Sequence, residues 1–245
     1  MEFLALLVCA PAPVTAVTSD LHVTPNSLHI SESFQGAPVT IAANIPKQSS
    51  AIVEIKGSEH DDHLLRQGRR AGLWMSVGEV TVRGAPSIYL LMSTPDLPSH
   101  SNIAGGWGYK ALQKHMQFEG ALPRQGADSL FDQFVKLKES EGLYGVFPKS
   151  LKLVGSSEDG SKVEGRLMLP SNIAPGNYHI VMSVLNNGKL VEQRSSDLHV
   201  DMQGLTGFLA ALAYQHAMLY GLAAVMIAII TGFAIGFLLS SKGAH

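Results

Sequence analysis

The chain has 245 residues, of which 46% are hydrophobic and 16% charged, with a net charge of −2. The charged share lies below the roughly 25% usual in soluble domains, so part of the chain is expected to avoid water. The near-neutral balance excludes the basic field of a nucleic-acid binder. The one cysteine, Cys9, excludes an internal disulfide framework, a Cys-based zinc site and a CxxCH haem site.

Residues 1–16 resemble a secretory signal. Phe3 to Ala10 is an apolar stretch, followed by prolines and a small-residue site ending Val14-Thr15-Ala16. Glu2 stands where a basic residue is usual. Cleavage after Ala16 would remove Cys9, which suits export to an oxidising compartment.

Residues 18–98 read as a first β-sandwich domain. Val39, Ile41, Ala43 and Ile45 alternate with polar or small residues, as do Val80 and Val82, and residues 87–92 form a continuous β-prone run. Within this stretch, Glu59-His60-Asp61-Asp62-His63 places two imidazoles three apart. On a helical turn they would share a face and could hold a divalent metal, whereas the plainer reading is a polar loop. Arg66, Arg69 and Arg70 precede Trp74. A basic patch beside an aromatic suits contact with an anion, a lipid headgroup or an acidic partner; a solvated strand edge is the plainer alternative.

Residues 99–145 change character and read as a helical insert. Asp128 is a candidate cap for a helix over 129–140, with Leu130, Phe131, Phe134, Val135 and Leu137 on one stripe. A second helix is expected over 107–118. Residues 102–108 form a glycine-rich loop.

Residues 146–203 read as a second, smaller β domain, so the expected fold is mainly β, with two Ig-like sandwiches. Tyr178, Ile180, Met182 and Val184 alternate inward, and Asn187-Gly188 is a two-residue hairpin signal. Pro175-Gly176-Asn177-Tyr178 resembles a tyrosine corner. Gly155 to Lys162 has a glycine spacing close to a phosphate loop, but it is acidic and sits between strands, so it reads as a hairpin loop. The two β regions also share sequence. Residues 25–30 match 148–153, and 39–46 match 163–170, which suggests a diverged duplication.

Residues 204–216 are apolar and uncharged, and read as a juxtamembrane helix extending outward as a stiff stalk. Residues 217–239 run 23 positions without a charge. At 1.5 Å per residue this gives about 35 Å of helix, enough for a core of about 30 Å. Gly232 and Gly236 form a GxxxG, and Ala224 and Ala228 add a second small pair, so another helix can approach closely. Lys242 in the tail, residues 240–245, agrees with a cytoplasmic C-terminus. The expected partners are an integral membrane protein and the lipid bilayer, with self-association open to the same helix face.

No HExxH, GxSxG or GxGxxG is present, so no catalytic role and no cofactor is expected. Three stretches together resemble a family of single-span transmembrane proteins described mainly from alphaproteobacteria. They are Leu65 to Met75 running on to Ala85-Pro86-Ser87-Ile88-Tyr89; Leu137-Lys138 through Gly142-Leu143-Tyr144; and Leu169-Pro170 through Tyr178, followed by Tyr220-Gly221-Leu222. That family has no established activity. The resemblance implies an accessory role beside a transporter, since members are often encoded next to sulfite-exporter-like permeases. The expected protein is a non-enzymatic auxiliary subunit in the inner membrane, with its β domains in the periplasm. The alternative is a periplasmic metal- or small-anion-binding module using His60 and His63 or the arginines.

Overall fold

A computed structural model describes residues 21–97, 106–120, 126–157 and 160–240. The signal-like segment, residues 102–105 of the glycine-rich loop and residues 241–245 lie outside the described residues.

The chain begins with β1 (His22–Thr24), β2 (Ser27–Ile30), β3 (Ala37–Ile45) and β4 (Ser49–Lys56). The long strands β5 (Glu59–Arg70) and β6 (Leu73–Pro86) follow, then β7 (Tyr89–Ser93). The insert contributes α1 (Tyr109–Gln113), β8 (Gln117–Gly120) and α2 (Gly126–Ser140). The second β region holds β9 (Tyr144–Phe147), β10 (Lys152–Ser157), β11 (Gly160–Leu169), β12 (Gly176–Asn186) and β13 (Lys189–Met202). Two helices close the chain, α3 (Gly204–Gln215) and α4 (Ala217–Ser240).

The mainly β expectation holds. The strands, however, do not divide into one sandwich from 18–98 and another from 146–203. Both regions feed the same two sheets. One has the order β1-β3-β11-β10, and the other β2-β13-β12-β4-β7-β9. A single core lies between them. It takes Val39, Ile41 and Ile45 from β3, Val163 and Leu169 from β11, Val53 and Ile55 from β4, and Ile180 and Met182 from β12. Alternation at period two turns these side chains inward, as the sequence pattern requires.

The repeat explains why the halves interlock. At the offset of 124 residues, Ile41 corresponds to Gly165, and these two residues face each other across β3 and β11. Equivalent strands therefore pair antiparallel at the centre of each sheet: β3 with β11, and β4 with β12. The edges follow the same symmetry. In each half a short strand crosses to lie parallel to the last strand of the other, β2 beside β13 and β9 beside β7, although β2 follows the edge strand β1 whereas β9 precedes the edge strand β10. By this pairing β2 corresponds to β9. The matched segment 148–153 instead leads into β10, in the other sheet.

The halves differ most at one connection. Between β12 and β13 the chain turns on Asn187 (φ 50) and Gly188 (φ 76), the two positive-φ positions of a tight hairpin. Between β4 and β7, the same place in the first half carries the 12- and 14-residue strands β5 and β6. With β8 these form a third sheet, order β5-β6-β8. This sheet and the insert build a second core on the outer face of the six-stranded sheet, joining Val80, Val82 and Ala85 to Leu112, Phe131, Phe134, Tyr144, Tyr89 and Leu91. That is why β4 and β7 are buried on both faces.

In the insert, α2 begins at Gly126 and buries Leu130, Phe131, Phe134 and Val135, while Leu137 stays largely exposed. The expected second helix stops at Gln113, and residues 117–120 pair with β6 as β8. The acidic loop expected after Gly155 joins β10 to β11 as a hairpin, with Ser157 opposite Gly160. Tyr178 Oη donates to the Ala174 carbonyl, the bond of a tyrosine corner. At the other end, α3 stops at His216 (φ −133, ψ 52), so it is separate from α4 rather than a continuous stalk.

Candidate interaction surface

Strands β5 and β6 position most of the residues singled out by sequence. The chain stays bonded in register from β4 and β7 into this hairpin: Gly57 N–H donates to the Ile88 carbonyl, and Ser87 N–H to that of Ser58. The strands then reverse at Ala71 (φ 50) and Gly72 (φ 84). A left-handed pair of this kind matches the right-handed strand twist, and glycine takes the second position without a Cβ penalty.

The tip gathers Arg69, Arg70 and Trp74. Arg69 faces Trp74, and Arg70 faces Leu73. Trp74 is 72% exposed and Leu73 66%, with Met75 beside them also exposed. Arg66 lies further down the strand opposite Gly78. It lines an apolar groove of about 340 Å³ with Leu64, Val80, Phe118, Phe134 and Leu137, between the hairpin and α2.

His60 and His63 are not brought together as expected. Their segment is a strand, not a helical turn, with an irregularity in register between His60 and Asp62. His60 Nε2 lies 3.0 Å from Asp62 Oδ1, whereas His63 Nδ1 lies 3.1 Å from Glu79 Oε1 and 3.3 Å from Thr81 Oγ1. The two rings thus serve different carboxylates. Among the described residues, no three His, Cys, Asp or Glu side chains converge as metal ligands.

Two polar contacts at the hairpin base escaped the sequence reading. Lys138 Nζ on α2 sits 2.9 Å from Asp62 Oδ2, with side-chain exposures of 10% and 18%. Among the described residues no hydrogen-bond donor aligns with that buried oxygen, so the ammonium charge is its compensation. The second contact is Tyr89 Oη, which donates to Glu54 Oε1 at 2.6 Å and accepts from Gly108 N–H at 2.9 Å. Lys56 Nζ bonds the other Glu54 oxygen at 3.2 Å. Glu54, Lys56 and Tyr89 line an open cleft of about 530 Å³ with Glu59, His115 and His179.

Burial, reinforced by the Glu54 carboxylate, pushes the Tyr89 phenol far above its ordinary value of 10.0. Burial also raises Tyr144, with Asp62 adding to it. Both phenols ionise less readily folded than unfolded. Their contribution to stability is therefore complete below about pH 10 and is lost as the pH rises toward the folded values. The full chain in detergent should lose stability between pH 9 and about pH 11 by urea titration. Tyr89→Phe should start lower by about 1–3 kcal/mol, because it strands Glu54 and Gly108 N–H, and should lose less with alkali.

In the last helix, Ala217–Phe237 is long and apolar enough to cross a membrane, and none of that stretch is buried against the body. Gly232 and Gly236 have open space where a Cβ would stand. Ala224 and Ala228 are also exposed. The described residues hold no other helix of this kind.

A β body carried on one apolar helix of spanning length defines a single-pass membrane protein. The chain belongs to the family described as "Putative transmembrane protein (Alph_Pro_TM)", whose model matches residues 20–241. No curated protein matches it.

Proposed function

We propose that this protein is a non-catalytic accessory subunit of an integral membrane transporter. Its β body stands on the periplasmic side of the inner membrane, and its C-terminus is cytoplasmic. The partner class is a permease of the sulfite-exporter-like kind to which the family resemblance points. The observation that carries this reading is α4. It is apolar on all faces, and Gly232 and Gly236 leave a shallow track open along it. Small residues at that spacing let a second helix approach at backbone distance, where packing and close contacts replace the hydrophobic drive that lipid cannot supply. Beyond the helix, the β5–β6 hairpin carries Arg69, Arg70 and Trp74 at its tip and Arg66 further down its first strand, the residues for contacts on the outer side.

The test is mild-detergent purification of the full chain from its native membrane, with metal analysis of the same sample. A stoichiometric polytopic partner is expected, and its recovery should fall when Gly232→Ile and Gly236→Ile are combined. Unchanged recovery in that variant would remove the helix from the interface. A lone chain with about one equivalent of metal would overturn the accessory reading.

A further inference from the structure

The β5–β6 hairpin replaces, in the first half, the two-residue turn that joins β12 to β13 in the second. Its place on the sheet matters. Lys56, the last residue of β4, pairs with His179 near the start of β12, and Gly176 pairs with Val200 near the end of β13. The hairpin therefore leaves the six-stranded sheet at the end where β13 hands the chain to α3 and α4. The Asn187-Gly188 turn is at the opposite end.

The tip has the chemistry of a headgroup layer. From Arg66 through Gly78 there are three arginines and no acidic residue, although the whole chain is net negative. Leu73, Trp74 and Met75 stand exposed at the turn, with Arg69 across from Trp74 and Arg70 across from Leu73. Indole and apolar side chains settle at headgroup depth, and guanidinium groups pair with lipid phosphates, two bonds at a time. A large exposed apolar cluster is otherwise a liability on a strand turn.

We propose that this tip is a second membrane contact, docking on the anionic surface of the bilayer that α4 spans. Leu73, Trp74 and Met75 enter the headgroup layer, and Arg69 and Arg70 hold phosphates of anionic lipids. The body is then fixed at two points, which sets its orientation over the membrane. This inference rests on anchoring by α4 and not on the transporter partnership.

The experiment uses the purified full chain in nanodiscs, with Trp107→Phe making Trp74 the sole tryptophan. Discs contain phosphatidylcholine alone or with phosphatidylglycerol, each with and without brominated acyl chains. In phosphatidylglycerol discs, Trp74 emission should shift to the blue and be quenched by bromine. Both effects should weaken at high salt, which screens the arginine charge. They should be lost in Arg69→Gln/Arg70→Gln, whose far-ultraviolet dichroism and urea midpoint should match the parent. Solvent-like Trp74 in both discs overturns the proposal. So does equal quenching in the two discs, which would make the contact apolar and lipid-independent. Inorganic phosphate that shifts the emission in phosphatidylcholine discs would assign a free-anion site instead. Solvent-like Trp74 in discs, together with loss of native-membrane partner recovery in the double-arginine variant, would assign the tip to a protein partner. Failure of the helix test leaves this outcome unaffected, since no partner is present in the discs.

Discussion

Ile180→Ala is expected to destabilise both halves of the sandwich together, by about 2–5 kcal/mol. Ile180 is fully buried on β12 and faces Ile55 across the central pair. Its methyl groups belong to the core that also holds Val39, Ile41 and Ile45 of β3. Truncation removes burial free energy and leaves a cavity, because neighbours in a close-packed interior relax only partly. Two separate sandwiches would confine that loss to residues 146–203. In shared sheets β3 is paired with β11, and β4 with β12, so neither half has a core of its own to fall back on. Hydrogen exchange in the full chain checks this. Amides of β3 and β4 should lose protection in step with those of β12 and β13. Wild-type protection in the first half would show that the halves are independent units.

The contrast between local and non-local information explains what could be read beforehand. Inward alternation in β3 and β12 is a property of neighbouring residues, as is the turn chemistry of Asn187-Gly188. Both were legible. Which strand lies beside which is decided by side chains far apart in sequence, so the halves looked like successive domains. The duplication held the clue, since symmetric halves can pair equivalent strands across a common axis. The apolar span was legible because length and uninterrupted composition are enough to define it.

The hairpin was harder to recognise. Glu59 to Arg70 has mostly polar side chains on both faces, so period two leaves little trace, and a polar loop or helical turn fitted as well. Only a helical turn would give His60 and His63 a shared face; in the strand they meet different carboxylates. The hairpin's three arginines and its indole were legible as chemistry. Their place on a hairpin was not, although Ala71-Gly72 between the two runs carries a weak turn signal. On α2 the spacing of the apolar stripe includes Leu137, whereas Lys138 is the better-buried neighbour. Its stem lies against Phe134, with Nζ 5.4 Å from the ring centre, and only its tertiary partner Asp62 makes that burial tolerable.

That pair yields the largest expected loss, for Lys138→Met. The replacement keeps the unbranched stem and its contact with Phe134, so the change is one of charge more than of volume. It strands Asp62, whose Oδ2 is buried and whose other oxygen meets His60. Removing one member of a buried ion pair costs about 3–5 kcal/mol, most of it the unpaid desolvation of the charge left behind. Lys138→Met with Asp62→Leu should recover much of this, because a carboxylate no longer needs a counter-charge. The cycle, measured by urea unfolding of the full chain, separates the two accounts. A single-variant loss below about 1 kcal/mol with no coupling would mark an ordinary surface bridge. A large loss largely restored in the double variant identifies the pair as the fastening between α2 and the base of the hairpin. The tip then supplies a second readout. If this fastening aims the hairpin, Trp74 should lose its contact in Lys138→Met under conditions where the sandwich core is still folded, and regain it in the double variant.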